Sequence, residues 1–251
     1  MSPRKIHSQI FQPGGGGFVS KYKSLSVGDQ NWARFIYFEI VTTLFRNIPG
    51  ALGLALRALA YRPLFRSLGK GVLFGSGISI RNPGNISIGN QVVIDDNCVL
   101  DAKGDPPGGI EIGDRVFVSR NVLMGCKNGA IRLGHDISIG PNTIIHAVEE
   151  SQVTVGPHSV IAANCYLIGG PDYRHEQRDL PMMAQGFQPG RGIRIAGDVW
   201  LGAAVLVADG AEIETGAIIG ANSLVKGAIP PYAIAMGSPA TVKKFREGET
   251  P

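Results

Sequence analysis

The residues best suited to chemistry in this 251-residue sequence are a histidine and a pair of neighbouring acids. His175 is the single histidine in residues 171–192, PDYRHEQRDLPMMAQGFQPGRG, which interrupt the regular pattern around them. An imidazole can take up a proton near neutral pH, and long loops in compact domains are usually functional. Glu149 and Glu150 precede another regular segment. They can accept hydrogen bonds from hydroxyl groups, or they are two solvated charges on a bend.

The pattern that residues 171–192 interrupt is a six-residue repeat. Each unit holds an aliphatic residue, often a Gly, two turn-type residues, a small or β-branched residue, and one more. The repeat begins near Val72, reads IGNQVV-IDDNCV-LDAKGD from Ile88, and returns from Ile112, Leu133, Val155, Ile195 and Ile213. Three units make a turn of 18 residues. A period of this kind predicts a solenoid of stacked turns.

The chemistry of the unit favours a three-sided coil with an apolar interior. The aliphatic first residue and the small fifth residue point inward, while Gly, Asn and Asp fill the bends because they tolerate left-handed backbone angles. Cys98 and Cys165 fall at the fifth place and are expected to fill the core. Cys126 is placed in a bend, and we do not expect it to be a nucleophile. Three cysteines without a CxxC motif predict neither a disulfide framework nor a cysteine zinc site.

Residues 1–68 lie outside the repeat and have two different characters. Residues 1–30 are polar and Gly-rich, which predicts a flexible arm. Residues 31–68 predict two helices separated by Pro49-Gly50, because the apolar residues from Phe35 to Phe45 recur at spacings of three and four. This helical segment either packs on the solenoid or rests on a membrane face as a basic amphipathic pair.

Composition and charge exclude several classes of protein. Hydrophobic residues make up 44% and charged residues 18% of the chain, which is apolar enough for a sizeable core. The net charge of +4 is too small to indicate nucleic-acid binding and suits a small anionic ligand. The first residues lack the apolar run of a signal peptide, and no stretch has about 18 consecutive apolar residues. A cytoplasmic enzyme or binding protein is therefore expected.

Three motifs beside the repeat make the chain resemble the hexapeptide-repeat acyltransferases. They are Asp198-Val199-Trp200-Leu201-Gly202-Ala203, Ile219-Gly220-Ala221-Asn222-Ser223, and the segment from Ile229-Pro230-Pro231-Tyr232-Ala233 to Gly237-Ser238-Pro239-Ala240. More narrowly, the chain is similar to the sugar O-acetyltransferases related to the galactoside, maltose and polysaccharide-biosynthesis enzymes. The resemblance covers roughly residues 70–246. It implies a left-handed parallel β-helix over residues 70–240 with a projecting loop at 169–192. A short helix is expected in the C-terminal tail, residues 241–251.

The resemblance also implies an activity and an assembly. Members of the family are typically homotrimers with active sites between neighbouring subunits. They transfer an acetyl group from acetyl-CoA to a hydroxyl, with a histidine of the projecting loop as general base. The family's histidine position falls on Asp172 or Tyr173, and the histidine actually present in the loop is His175. These three residues are the predicted catalytic candidates.

The remaining site residues follow from the same resemblance. Glu149 and Glu150 would face the acceptor. Residues implied in binding acetyl-CoA are Trp200, Gly202, Ala203 and Ala221 in the pantetheine groove, together with Lys226, which is displaced by one position from the family's lysine. Lys243, Lys244 and Arg246 either pair with the phosphates of coenzyme A or form the basic face of a C-terminal helix.

No metal is expected. A sister branch with this fold includes zinc carbonic anhydrases, which use two histidines five residues apart together with a third. The five histidines of this chain, at positions 7, 135, 146, 158 and 175, contain no such pair. His135 and His158 fall in bends, where solvated polar residues are expected, and His146 falls at the second place of a unit.

Three alternatives to sugar O-acetylation stay open. The acceptor group can be the amine of an amino sugar. The chain can be a catalytically silent relative that binds or scaffolds, as the missing histidine at the implied position suggests. Transfer can also take place at a membrane face onto a lipid-linked saccharide, with residues 31–68 as the anchor.

Overall fold

The computed structural model describes residues 17–28, 31–104, 108–170 and 172–247. Most of these form a solenoid in which each coil contributes one strand to each of three sheets. Strands are numbered here in chain order. Sheet A contains β1 (Ser67–Leu68), β4 (Ile86–Ile88), β7 (Gly109–Ile112), β10 (Ala130–Leu133), β13 (Gln152–Val155), β16 (Ile193–Ile195), β19 (Glu212–Ile213) and β22 (Ala228–Ile229).

The other two faces of the prism are built in the same way. Sheet B contains β2 (Leu73–Phe74), β5 (Val93–Ile94), β8 (Phe117–Val118), β11 (Ser138–Ile139), β14 (Val160–Ile161), β17 (Trp200–Leu201), β20 (Ile218–Ile219), β23 (Ala233–Gly237) and β24 (Ala240–Phe245). Sheet C contains β3 (Ser79–Arg81), β6 (Val99–Lys103), β9 (Leu123–Lys127), β12 (Ile144–Val148), β15 (Tyr166–Gly169), β18 (Leu206–Val207) and β21 (Leu224–Val225).

The interior of the prism is the core that the repeat predicts. The aliphatic residues that open the units, from Ile88 to Ile213, are buried, as are Cys98 and Cys165. Cys126 was expected in a bend, and this is wrong: it lies in β9 and is buried. Burial raises the pKa of the Cys98 thiol to about 11 and that of Cys126 to about 12. Both thiols therefore stay protonated at neutral pH and are not nucleophiles.

One row of bends shows why asparagine recurs in the repeat. Asn97, Asn121, Asn142 and Asn164 stack at the corner between sheets B and C, each with φ between 60° and 61°. Asparagine tolerates this left-handed conformation better than most residues. The side-chain amides also bond along the stack, with Asn121 donating to Asn142 at 3.1 Å and Asn142 to Asn164 at 3.2 Å.

Three helices form a cap at the N-terminal end of the prism: α1 (Phe18–Val27), α2 (Trp32–Phe45) and α3 (Gly50–Ala60). Short 3₁₀ turns follow at Arg62–Leu64 and Pro83–Asn85. Arg57 is 1% exposed, and its guanidinium donates to the carbonyl oxygens of Phe74, Phe45 and Ile48 at 2.7–3.0 Å. This buried cation therefore ties the helices to the first coil.

The prediction of a flexible arm over residues 1–30 is wrong for residues 18–27, which are α1. Val27 and Ser26 are buried, and the Asn82 backbone N–H donates to the Ser26 carbonyl at 2.7 Å. The rings of Tyr22 and Phe35 also meet edge to face, 5.9 Å apart. These contacts fix α1 on the prism. Residues 1–16 of the predicted arm lie outside the described residues.

The prediction of a short C-terminal helix is also wrong. Residues 240–245 form β24, which runs antiparallel to β23 on sheet B. Arg246 then donates to the Asp198 carboxylate at 2.8 Å and to the Gly216 carbonyl at 3.0 Å. Arg246 therefore holds the C-terminal strand on the prism and is engaged within the protein. Within the described part of the chain, no helix is both long and apolar enough to cross a membrane.

Candidate active site

The projecting loop is fixed at its root by one carboxylate. The chain leaves the corner between sheets C and A after β15 and returns at β16. Asp209, in the next coil, accepts hydrogen bonds from the backbone N–H groups of Gly170, Arg191 and Gly192 at 2.7–3.0 Å. Both ends of the loop are thus bound to a single side chain. Asp209 is not recognisable as a functional residue in the sequence, because it stands in an ordinary Ala-Asp-Gly bend.

Inside the loop, the two chain segments near the root face each other. The Gln188 N–H donates to the Asp172 carbonyl at 2.9 Å, and the Arg174 N–H donates to the Gly186 carbonyl at 3.0 Å. The rings of Tyr173 and Phe187 pack with centroids 4.6 Å apart. The loop also holds the short helix α4 (Met182–Gln185). These contacts give the loop a defined shape close to the root.

The three predicted catalytic residues occupy one segment of this loop. Asp172, Tyr173 and His175 are all exposed on the single protomer. The Nδ1 atom of His175 lies 3.2 Å from the Tyr173 carbonyl oxygen, which suits an Nδ1–H donor. The Nε2 atom is then the basic nitrogen of the neutral ring, which is the tautomer that a proton acceptor needs.

Glu149 and Glu150 turn the corner from β12 to β13, directly beneath the loop root. Both have positive φ, 50° and 66°. Glu150 is exposed, whereas Glu149 is half-buried, and its Oε1 atom is buried without a hydrogen-bond partner among the described residues. The Ser151 hydroxyl fixes the turn by donating to the Gly169 carbonyl at 2.8 Å. The predicted acceptor-binding acids therefore lie next to the loop.

Most of the residues predicted to bind acetyl-CoA lie away from the corner between sheets C and A, where the loop leaves the prism. Trp200 is on the outer face of sheet B and is 52% exposed. Ala203 and Ala221 are exposed at the corner between sheets B and C. Lys244 is exposed on β24, and Lys226 is exposed at the corner between sheets C and A. Within one protomer, Ala203 and Ala221 are therefore at the opposite edge of sheet C from the loop, and Trp200 is beyond that edge on sheet B.

Gly202 is needed for a reason internal to the fold. It is buried, and a Cβ atom at this residue would lie 2.7 Å from the backbone nitrogen of Ala221 and 2.9 Å from the carbonyl oxygen of Ile219. A side chain there would collide with the next coil. This packing accounts for the glycine without a ligand.

A group of polar side chains on the outer face of sheet C is not apparent from the sequence. Asp101, Gly125 and His146 are neighbours in register on β6, β9 and β12. Lys103 and Lys127 are paired two residues further along β6 and β9, on the same face. Burial raises the pKa of the Asp101 carboxyl and lowers that of the His146 imidazole.

Two histidines that are far apart in the sequence also meet. The ligand atoms of His135, Asp136 and His158 all lie within 4.8 Å of one another at the corner between sheets A and B. A pair of histidines five residues apart is not the signal of this group, because adjacent coils bring His135 and His158 together. Both carboxylate oxygens of Asp136 accept hydrogen bonds from Arg115, at 2.6 and 2.7 Å. The negative charge of the Asp136 carboxylate is thus already neutralised by Arg115.

No family model matches the chain. The solenoid with its projecting loop nevertheless confirms the resemblance to the hexapeptide-repeat acyltransferases, and the predicted left-handed parallel β-helix is confirmed with it. The chain is similar in structure to AntD, an N-acyltransferase from Bacillus cereus solved in complex with dTDP and coenzyme A. The TM-score is 0.50 and the identity 26%, over 73% of this chain and 85% of AntD.

Relatives by sequence carry acetyltransferase names. A probable acetyltransferase of Mycobacterium tuberculosis is 33% identical over 50% of this chain and 43% of its own length. WbbJ of Escherichia coli, named as an O-acetyl transferase of lipopolysaccharide biosynthesis, is 28% identical over 68% of this chain and 77% of its own. The galactoside O-acetyltransferase of Escherichia coli is 33% identical over 43% and 54%. The chain thus spans less than half of the Mycobacterium relative.

Proposed function

We propose that the protein is an acetyl-CoA-dependent acyltransferase that acts on a saccharide. The observation that carries this proposal is the clamped loop at a solenoid corner, in a chain whose relatives and structural neighbour are acyltransferases. The loop carries a histidine, and two acids lie at the corner beside the loop root. A general base and hydrogen-bond acceptors for the sugar are groups that suit hydroxyl acylation. No residue with a nucleophilic thiol is needed, since the acyl group passes directly to the acceptor.

The proposed reaction is a single acyl transfer. The acceptor hydroxyl oxygen attacks the thioester carbonyl carbon while His175 takes the hydroxyl proton, and Tyr173 and Asp172 are the alternative bases. The C–S bond then breaks, and coenzyme A leaves as its thiol after receiving that proton. Backbone N–H groups in a bend are suited to stabilise the oxyanion of the intermediate. Glu149 and Glu150 accept hydrogen bonds from other hydroxyl groups of the acceptor.

Acylation of an amine is the second candidate function. AntD is an N-acyltransferase, whereas WbbJ and the galactoside enzyme are named for O-acetylation. An amine is the better nucleophile and depends less on a base. A strong requirement for His175 therefore favours a hydroxyl acceptor.

The test of the proposed function is release of coenzyme A. We expect the purified protein to bind acetyl-CoA in calorimetry and to release free thiol when a saccharide acceptor is added. The acceptors to compare are methyl β-galactoside, N-acetylglucosamine and UDP-glucose, with glucosamine as the amine acceptor. Absence of acetyl-CoA binding would contradict the enzyme proposal and favour a scaffold.

We further propose that the protein is a homotrimer. One column of outward side chains on sheet B is apolar except for Ser138, and it includes Leu73, Phe117, Val160 and Trp200, which are 42–52% exposed. The corresponding column on sheet A is polar, from Ser87 and Glu111 to Arg194 and Glu212. A continuous apolar column of this kind indicates a protein interface. Joining sheet B of one protomer to the loop edge of another would also complete the acetyl-CoA site.

The trimer is tested by placing charge on the apolar column. Phe117→Glu combined with Val160→Glu is expected to give monomers in light scattering, because two carboxylates would be buried unpaired at the interface. Ser87→Glu on the polar face of sheet A is the matched control and is expected to stay trimeric. A wild-type protein that is monomeric at micromolar concentration would contradict this prediction.

The helical cap supports a proposal of peripheral membrane contact. Residues 18–66 contain seven Lys and Arg, of which Arg57 is buried, and two Asp and Glu. Without Arg57 the net charge of this segment is +4, which equals that of the whole chain. On α2, Ile36, Ile40 and Leu44 form an exposed row at a spacing of four residues. An exposed apolar row on a basic segment suits an anionic lipid surface. This contact would place the acyltransferase beside lipid-linked saccharides.

A further inference from the structure

Asp101 and His146 face each other across a glycine on the outer face of sheet C. A Cβ atom on Gly125 would lie 3.0 Å from Cδ2 and 3.1 Å from Nε2 of His146, so the imidazole lies over Gly125. Asp101 is the residue on the far side of Gly125. Because neighbouring strands are about 4.8 Å apart, the backbones of Asp101 and His146 are roughly 10 Å apart. The two side chains lie on either side of Gly125, close enough for the charge of each to act on the pKa of the other.

Asp101 and Glu149 each have one buried oxygen without a hydrogen-bond partner among the described residues, although the Lys103 backbone N–H donates to the Asp101 carboxylate. The Oδ1 atom of Asp101 is buried and accepts no hydrogen bond from the described residues, and its Oδ2 atom is 3.9 Å from Nη1 of Arg81. The Oε1 atom of Glu149 is likewise buried and accepts no hydrogen bond from the described residues. A buried acceptor without a donor is costly, so such oxygens are suited to hydroxyl groups of a bound molecule. Two of them at one face point to a ligand with several hydroxyls.

The surroundings of these oxygens suit the same kind of ligand. The Tyr166 ring meets the His146 ring edge to face at 6.3 Å, which places an aromatic side chain beside the imidazole. The charges of both Asp101 and Glu149 act on Lys127, so this lysine is near both acids. Burial is the largest cause of the lowered pKa of His146, which keeps the imidazole neutral near pH 7 and able both to donate and to accept.

We propose that the outer face of sheet C from Asp101 to Glu149 binds the saccharide acceptor, with Asp101 and His146 holding its hydroxyl groups. The site has an aromatic surface, a neutral imidazole and two carboxylates, so it selects a polyhydroxylated ring rather than an apolar or purely anionic acceptor. This inference rests on the proposed function and extends the predicted pair Glu149 and Glu150 by one subsite. The residues of this subsite position the acceptor, while the loop supplies the base.

The experiment measures saccharide binding without acetyl-CoA. Saturation-transfer NMR and calorimetry on the full-length protein would use methyl β-galactoside, N-acetylglucosamine and UDP-glucose as probes. For the probe that binds most tightly, we expect Asp101→Asn and His146→Asn each to raise Kd at least tenfold. Gly125→Ala adds one methyl group against the imidazole and is expected to raise Kd at least threefold. Acetyl-CoA affinity is expected to stay within twofold in all three variants.

Matched controls separate this site from general surface effects. Glu111→Gln removes a carboxylate from sheet A, and His135→Asn removes an imidazole from another corner; both are expected to leave saccharide Kd unchanged. Circular dichroism verifies that each variant is folded. If none of the three probes binds the wild type, or if Asp101→Asn binds as tightly as the wild type, the proposal is overturned. Loss of acetyl-CoA binding with intact, Asp101-dependent saccharide binding would instead overturn the proposed function alone.

A second measurement tests the pairing itself. The groups facing Asp101 are Arg81 on β3, Lys103 on its own strand, Lys127 on β9 and His146 on β12. The Asp101 carboxylate favours the protonated imidazole, so Asp101→Asn is expected to lower the pKa of His146 in NMR titration. Glu111→Gln is expected to leave that pKa unchanged. An unaltered His146 titration in Asp101→Asn would show that the two side chains do not face each other.

Discussion

His175→Ala is expected to lower kcat for saccharide acylation by at least about 10²-fold, because a sugar hydroxyl needs a positioned base to attack a thioester near neutral pH. Acetyl-CoA binding should be largely unchanged, because the substitution removes only the base and leaves Trp200, Ala203 and Ala221, the residues predicted to hold the pantetheine chain, in place. The measurement is the rate of thiol release at saturating acetyl-CoA. The His175 side chain is exposed, so the variant is expected to fold normally.

The matched control is His158→Ala, which removes an exposed imidazole at the corner between sheets A and B. It should retain wild-type kcat. Full activity of His175→Ala would remove His175 from the mechanism. The base would then be sought with Asp172→Asn and Tyr173→Phe, whose backbones are fixed near the loop root. A large loss confined to one of these two variants would locate the base there.

The repeat was sufficient to predict the prism because each unit determines its own local structure. An inward aliphatic residue, a small corner residue and a left-handed bend recur coil after coil, and the strands pair only with the adjacent coils. The same local character explains the correct placement of Cys98 and Cys165 in the core. The predictions for α1 and for the C-terminal segment were wrong because both lie where the repeat stops. Nothing in α1 signals its packing on Asn82, and β24 forms through pairing with β23, which local sequence does not encode.

The candidate site was predictable only in part for a related reason. Residues 171–192 break the period, so the loop is visible in the sequence. Asp101 and His146 are invisible as a pair, because their approach depends on the exact number of residues in each coil. The irregular segments after β6 and β9 change that number, and only the register of the folded sheet brings Asp101, Gly125 and His146 into line. The His135 and His158 contact was missed for the same reason.

The full-length protein is expected to co-sediment with vesicles that contain phosphatidylglycerol, through the helical cap. Each of Ile36, Ile40 and Leu44 is more than half exposed in water. Burying an apolar side chain of this size in the lipid interface contributes about 1 kcal/mol or more, and each nearby Lys or Arg contributes about 1 kcal/mol on an anionic surface. Replacing the three residues together by Ser should therefore lower the partition coefficient at least tenfold.

Because these three side chains point away from the prism, the triple variant should keep its fold and its acetyl-CoA affinity. A matched control replaces three exposed apolar residues of the loop, Leu180, Met182 and Met183, by Ser; it removes similar apolar area and should still sediment. Binding should weaken on uncharged phosphatidylcholine vesicles and at high salt, since the cationic contribution is screened. A wild-type protein that never sediments with anionic vesicles would contradict membrane contact while leaving acyl transfer in solution unaffected. Equal loss in both triple variants would mean that general apolar exposure, rather than α2, controls the partition.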